Sequence, residues 1–257
     1  MPLTYGEYLR LDDLLAAQVP QSPGPEHDEM LFIVIHQVYE LWFKLVLHEV
    51  ERLQRALAEG DGPVAMADFK RILTILKTLV AQVDVLETMT PVSFFSFRER
   101  LDTASGFQSL QFRRLELMLG ARERATLRHY PEAAPLLEAH LQADSLYDSF
   151  LRYLARKGYE VPESALGRDR TLPPEEHAEV QEILVGIYHT DPATREVCER
   201  LVDLDEGLQE WRYRHVKMVE RTIGTTRGTG GSSGAEYLKK TLFKPLFPDL
   251  WAIRPRL

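Results

Sequence analysis

His36, Glu40, Lys44 and His48 follow one another at four-residue steps, and a further histidine, His215, stands inside the aromatic and basic run WRYRHVKMVERTI. Histidine is the side chain best suited to hold a transition metal or to move a proton near neutral pH. The spacing of the eight histidines first excludes chemistry. No two lie four apart, so the H-E-x-x-H zinc motif is absent. No Glu-x-x-His occurs, which removes the usual carboxylate-bridged di-iron bundle. His27/Glu29 and His177/Glu179 are two apart and cannot share a helix face. No Gly-x-Ser-x-Gly elbow is present for a serine nucleophile. Taken alone, His36 continues a polar stripe as readily as it makes a site, and His215 fits a solvated basic face. Alternatively, a lone histidine on a helix can serve as an axial ligand to haem iron, with nearby arginines pairing with propionates.

The segment GTTRGTGGSSGAEYL, residues 224–238, poses a separate question. Phosphate-binding loops need a different register: no Gly-Lys-Ser/Thr follows, and the G-x-G-x-x-G begun at Gly228 and Gly230 meets Ser233. A flexible linker is the plain alternative.

The elements that must position these residues read as helices. In ADFKRILTILKTLVAQVDVLETM the apolar residues recur at three- and four-residue steps from Phe69 to Leu86, with Pro91 as the stop. SGFQSLQFRRLELMLG opens on a capping-box pair, Ser105 and Gln108, and ends at Gly120. DSLYDSFLRYLARKG and PEEHAEVQEILVGIYH are amphipathic, and residues 194–223 can form one long helix. HDEMLFIVIHQVYELWFKLVLHEVERLQRAL contains an unbroken apolar run, Met30–Ile35, which predicts burial on most sides. No strand pattern or internal repeat stands out. Pro- and Gly-rich breaks at 20–25, 60–63 and 162–174 read as loops, so the expectation is one all-α domain over 1–257 with a helical-bundle core.

Composition narrows the class. Net charge is −8, which disfavours a nucleic-acid or anionic-membrane surface. The lone cysteine, Cys198, cannot close an internal disulfide and points to a reducing compartment. The N-terminal stretch lacks a signal-peptide pattern, and no apolar run approaches the ~20 residues of a membrane span.

Five blocks together carry a resemblance: LTYGEYLRLDDLLAAQ, HDEMLFIVIHQVYELWFKLVLHE, SGFQSLQFRRLE, WRYRHVKMVERTIG and GTGGSSGAEYL. In this order, across Leu3–Leu238, the chain resembles the tryptophan 2,3-dioxygenase family. The resemblance implies an all-α bundle enclosing b-type haem, ferrous in the active form, in a cytoplasmic homotetramer built as a dimer of dimers. It implies opening of the indole pyrrole ring of L-tryptophan by O2 to give N-formyl-L-kynurenine, the first step of the kynurenine route.

By motif, His215 becomes the proximal haem ligand and His36 the distal catalytic residue near the indole nitrogen. Phe32 lines the indole pocket, in a substrate-binding block that includes Ile33, Val34 and Ile35. Arg98 holds the substrate carboxylate and Phe94 takes an aromatic position beside it. Leu101 and Ser105 lie against substrate or haem, and Gly228 against the cofactor. Thr229, 14 residues beyond His215, contacts the substrate. Tyr5 and Tyr8, in an arm over 1–16, reach a neighbouring subunit's site. Thr103 stands where the family pattern has proline. The glycine loop then becomes a segment that folds over bound substrate, ordered by polar contacts to it. Two other classes remain at this point: a haem enzyme of the same fold acting on a substituted indole, and a non-catalytic haem sensor.

The arm LTYGEYLRLDDLL is too apolar to lie free in water, which predicts an obligate oligomer, most simply a tetramer. Light scattering checks this: a monomer that turned over tryptophan normally would contradict it.

Overall fold

The computed structural model describes residues 2–24, 26–229 and 234–257, with the side chains of Thr126 and Tyr237 set aside. The described residues are helical with no strand. In chain order the helices are α1 (Tyr5–Leu9), α2 (Leu11–Leu15), α3 (His27–Glu59), α4 (Gly62–Leu86), α5 (Pro91–Phe97), α6 (Leu110–Leu119), α7 (Ala134–Gln142), α8 (Leu146–Arg156), α9 (Glu163–Leu166), α10 (Ala178–Thr190), α11 (Pro192–Ile223), α12 (Ala235–Lys239) and α13 (Pro248–Ala252). Short 3-10 turns at Arg98–Leu101 and Gly106–Gln108 join α5 to α6.

Three long helices set the frame. α4 packs against both α3 and α11, and α3 also packs against α6 and α8. The apolar residues of α4 predicted to share one face do so: Phe69, Ile72, Leu76, Leu79 and Val83 are buried. Phe69, Ile72, Leu76 and Leu79 meet Val46, Leu53 and Leu57 of α3 and Leu201, Leu204 and Leu208 of α11 in one core cluster. Burying a side chain of this size contributes roughly 1.5–3 kcal/mol. Gly60, at φ 78°, ends α3, and Asp61 caps α4 by accepting from the Val64 N–H. Asp191 caps α11 by accepting from the N–H groups of Ala193 and Thr194.

Three local expectations are corrected. Of Met30–Ile35 only Ile35 is buried; Met30 is 42 % and Val34 38 % exposed. An unbroken apolar run on a helix cannot point one way, so part of it faces outward whatever the core needs. Pro91 does not stop α4, which ends at Leu86; it opens α5 behind the Thr90 cap. The Ser105–Gln108 capping box is formed but holds only a single 3-10 turn, and Ser109 caps α6. By length and composition alone α3 could cross a membrane. Here it is the middle of the bundle, and it buries the charged residues Glu29 and Glu49.

The C-terminal segment is tied to α11 by one carboxylate. Asp205 Oδ2 accepts from Leu246 N (2.8 Å), Phe247 N (3.3 Å) and Trp251 Nε1 (2.9 Å). Asp205→Ala leaves three donors without this acceptor, and an unsatisfied buried group costs about 1–3 kcal/mol. The expected loss is on the order of 3 kcal/mol in urea unfolding, with a smaller loss for Asp205→Asn, which keeps one acceptor oxygen.

Candidate active site

α3 and α11 face a common cavity of about 380 Å³, and each brings one histidine to it. On α3 the helical period places Phe32, His36, Tyr39, Glu40 and Phe43 along the cavity wall. On α11 it places Trp211, His215, Val219 and Thr222 there, with Arg212 and Val216 beside them. The third side comes from Phe94 and Arg98, and the fourth from Ser105, Phe107 and Phe112.

His36 Nδ1 lies 2.7 Å from the Phe32 carbonyl oxygen. A carbonyl only accepts, so Nδ1 carries the proton and Nε2 is left as an acceptor. The Phe32 ring lies 4.1 Å from the imidazole, centroid to centroid, and fixes its plane. Burial pushes the His36 pKa down, against the smaller upward pull of the Phe32 carbonyl and Glu40. His215 is held more strongly in the neutral form. Burial, and secondarily the nearness of His36, lower its pKa from 6.5 to about 4. It stacks on Trp211 at 5.3 Å with an 11° interplanar angle. Among the described residues it makes no hydrogen bond, so a neutral imidazole lies on the cavity wall with its nitrogens uncommitted. Trp211 is itself buried, with the Tyr39 ring edge-on beside it.

Arg98 stands at one end of the cavity. Its Nη2 donates to the Arg227 carbonyl at 2.5 Å, while Nε is buried without a partner. Thr229 Oγ1 donates to the Ala104 carbonyl at 2.5 Å. The glycine-rich loop is therefore held to the scaffold on its N-terminal side, at Arg227 and Thr229. That differs from the expectation that contacts to substrate alone would order it. Gly230, Gly231, Ser232 and Ser233, the centre of that expectation, lie outside the described residues. At Gly234 the φ is +59° and a Cβ would come 2.9 Å from the Thr226 carbonyl, so the loop returns to α12 through a position only glycine fits.

The remaining residues separate clearly. Ser105 lines the cavity and also accepts from Phe107 N, and Gly228 and Thr229 line it too. Leu101 packs on the cluster of Ile35, Leu86, Met89, Phe94 and Phe97, beside the cavity rather than on it. Ile33, Val34 and Ile35 do not line it: with Phe32 and His36 on the inner face, the three between them turn away. Tyr5 and Tyr8 are 75 % and 73 % exposed and do not line this cavity.

Sequence reasoning missed an ionic cluster in the same wall. Glu116 accepts from Arg212 Nη2 at 2.8 Å and from Arg113 Nη1 at 2.5 Å, with all three side chains largely buried. Two guanidinium groups share one carboxylate, which leaves a positive charge over. The RYR run hinted at cations near His215, but nothing local separates Arg212, which turns inward, from Arg214, which pairs with Asp84 and Glu87 on the outside.

A sequence profile described as tryptophan 2,3-dioxygenase matches residues 1–135 and 175–257. A protein of that name from Herpetosiphon aurantiacus is 58 % identical over 99 % of this chain and 98 % of its own length. One from Anaeromyxobacter sp. strain K is 59 % identical, covering 99 % and 96 %. One from Myxococcus xanthus is 45 % identical, covering 99 % and 89 %.

The neutral His215 carries a pH signature. Its folded pKa is depressed, so its contribution to stability is fully present above pH 6.5 and is lost as pH falls towards 4. Protein prepared without cofactor is expected to lose on the order of 3 kcal/mol across that window through this group. Urea unfolding at pH 7.5 and 4.5 checks it: His215→Leu should flatten the difference relative to the parent.

Proposed function

The chain belongs to the tryptophan 2,3-dioxygenase family and is an oxidoreductase acting on tryptophan; we propose that the cavity between His36 and His215 is where, with a b-type haem bound, both atoms of O2 are added to L-tryptophan to give N-formyl-L-kynurenine. One observation carries the reading. His36 and His215 approach one largely apolar cavity from different helices, His36 with its Nδ1 on the Phe32 carbonyl and His215 without a hydrogen bond among the described residues.

The residues present fit haem. His215, uncharged and unengaged, would hold the iron. Phe43, Phe112, Trp211 and Val216 offer apolar surface, and the surplus positive charge of Arg113, Glu116 and Arg212 suits propionates. Haem bound there in the ferrous state supplies the binding and activation of dioxygen.

The chain's own residues do the rest. The His36 Nε2 acceptor orients the indole N–H, and Phe32 and Phe94 confine the ring by contact. Arg98 turns its unpartnered Nε, with an Nη, to the substrate carboxylate as a fork. The bond from Arg98 to the Arg227 carbonyl marks a competition: substrate carboxylate and loop backbone seek the same guanidinium. Ser105, Gly228 and Thr229 close the same end and keep water out. A haem sensor has no use for Arg98 and Thr229 together.

The whole of 1–257 reads as one domain. The exposed arm tyrosines, with Met30, Val34 and Leu41 exposed on α3, support a homotetramer arranged as a dimer of dimers in which Tyr5 and Tyr8 complete a neighbour's site. The buried, lone Cys198 suits the cytoplasm.

The direct test is anaerobic reduction with tryptophan, then admission of oxygen, following N-formylkynurenine absorbance. Formation of that product supports the reading, and haem binding without it returns the sensor class. Arg98→Ala is expected to raise the tryptophan requirement about 10–150-fold, since a charge-assisted pair contributes roughly 1.5–3 kcal/mol. His215→Ala is expected to lose stable haem, read from the Soret band, whereas His36→Ala keeps haem and measurable turnover.

A further inference from the structure

The cavity does not end behind the histidines. It continues past Arg212 and Glu116 to a second end walled by Ala121, Glu123, Pro173, Thr241, Lys244 and Pro245. This part of the lining is carried by the loop after α6 and by the strap 241–246 between α12 and α13.

One face of α11 holds the strap. Asp205, Gln209 and Arg212 stand four and three residues apart, and each takes a piece of strap backbone. Arg212 Nη1 donates to the Thr241 carbonyl (3.1 Å), and Gln209 accepts from Phe243 N (3.1 Å) and donates to the Lys244 carbonyl (2.8 Å). Asp205 receives the N–H groups of Leu246 and Phe247. The two ends of this row differ. Leu246 and Phe247 are buried and form a firm anchor, while none of Thr241–Pro245 is buried. Phe243 is 86 % exposed and sits at φ +59°, a conformation disfavoured for a side-chain-bearing residue. Across the cavity the strap is joined to the loop after α6 by an exposed ion pair, Lys244 Nζ to Glu123 Oε1 at 3.0 Å.

We propose that the strap 241–246, latched by Lys244 on Glu123, is the door through which the tetrapyrrole dicarboxylate cofactor is loaded and lost, separate from the substrate end at Arg98. This rests on the haem reading above. Lifting the strap about its Leu246–Phe247 anchor breaks a few bonds to backbone and one exposed ion pair, and uncovers little apolar core. Segments of that kind open locally far more often than the whole chain unfolds. The chemistry behind the door fits the cargo. Lys244, released from Glu123, stands at the rim as a cation for an incoming carboxylate, and the Arg113–Glu116–Arg212 cluster lies inside as the next positive station. Arg212 belongs to both: it holds Thr241 of the strap and faces the cavity, so an anion settling on it bears on the strap's closure.

The test uses rates of haem movement, not turnover. Haem transfer from the loaded protein to excess apomyoglobin is followed in the Soret region for the parent, Lys244→Glu, and the charge-exchanged pair Glu123→Lys with Lys244→Glu. Repulsion in the single variant should speed transfer about two- to five-fold, the scale of an exposed ion pair, and the exchange should bring it back towards the parent. A second experiment bridges Glu123→Cys and Lys244→Cys with a short bifunctional methanethiosulfonate; Cys198 is buried and does not compete. The bridged, haem-free protein should take up haemin at least ten-fold more slowly than the same protein after reduction, while each single-cysteine variant, which lacks the latch, loads at least as fast as the parent. Equal loading rates in bridged and reduced protein, or a Lys244→Glu transfer rate equal to the parent's, would overturn the door. Failure of the parent itself to acquire a Soret band would instead overturn the haem reading.

Discussion

His215 is half-buried on the cavity wall and makes no hydrogen bond among the described residues, and the surrounding structure is arranged to hold it there. Burial holds it neutral near pH 7, with its pKa near 4, and Trp211 stacks flat against it. The stack is braced in turn: Phe43, Phe112 and Tyr39 all lie within about 6.3 Å of the Trp211 ring. Those rings come from α3 and α6, so the position of an α11 histidine depends on three helices packing together. α4 makes this possible by packing between α3 and α11 and organising the large core they share.

The cavity's electrostatics follow from the same frame. Both histidines stay uncharged, and the fixed charge is placed at the periphery. At one end is Arg98, with one nitrogen on the Arg227 carbonyl and another unpartnered. In the wall is the shared Glu116 carboxylate with its two arginines. On the proposed reading, a site for a zwitterion, a dicarboxylate and a diatomic gas gains from this separation. Anions meet cations at the edges, while the centre remains apolar, where oxygen and an indole ring partition favourably.

The helices were legible because their signals are local. The faces of α4, α8 and α10 and the length of α11 follow from apolar spacing, and the capping box at Ser105 is formed as its pattern implies. The pattern could not reveal that the box serves a single 3-10 turn, because the switch to Ser109 depends on how the chain turns from α5 into α6. The site residues were legible only through a resemblance spread over five blocks. Helix geometry then divides one of those blocks, sending Phe32 and His36 inward and Ile33, Val34 and Ile35 away from the cavity. Arg212 and Arg214, two residues apart with the same side chain, end on opposite sides of α11 for the same reason.

By itself the sequence determined the all-helical class, the two histidines in unusual surroundings, and membership of a family through motifs that short-range chemistry makes recognisable. Tertiary structure alone decided that His36 and His215 meet at one cavity, that Glu116 is shared with an arginine 96 residues away, and that Arg98 and Thr229 are engaged with backbone carbonyls more than a hundred residues distant. The reason is physical. Helix formation and capping act over three or four residues, whereas burial, pKa and ion pairing depend on every element packed around a group, and those neighbours exist only once α3, α4, α6 and α11 have come together.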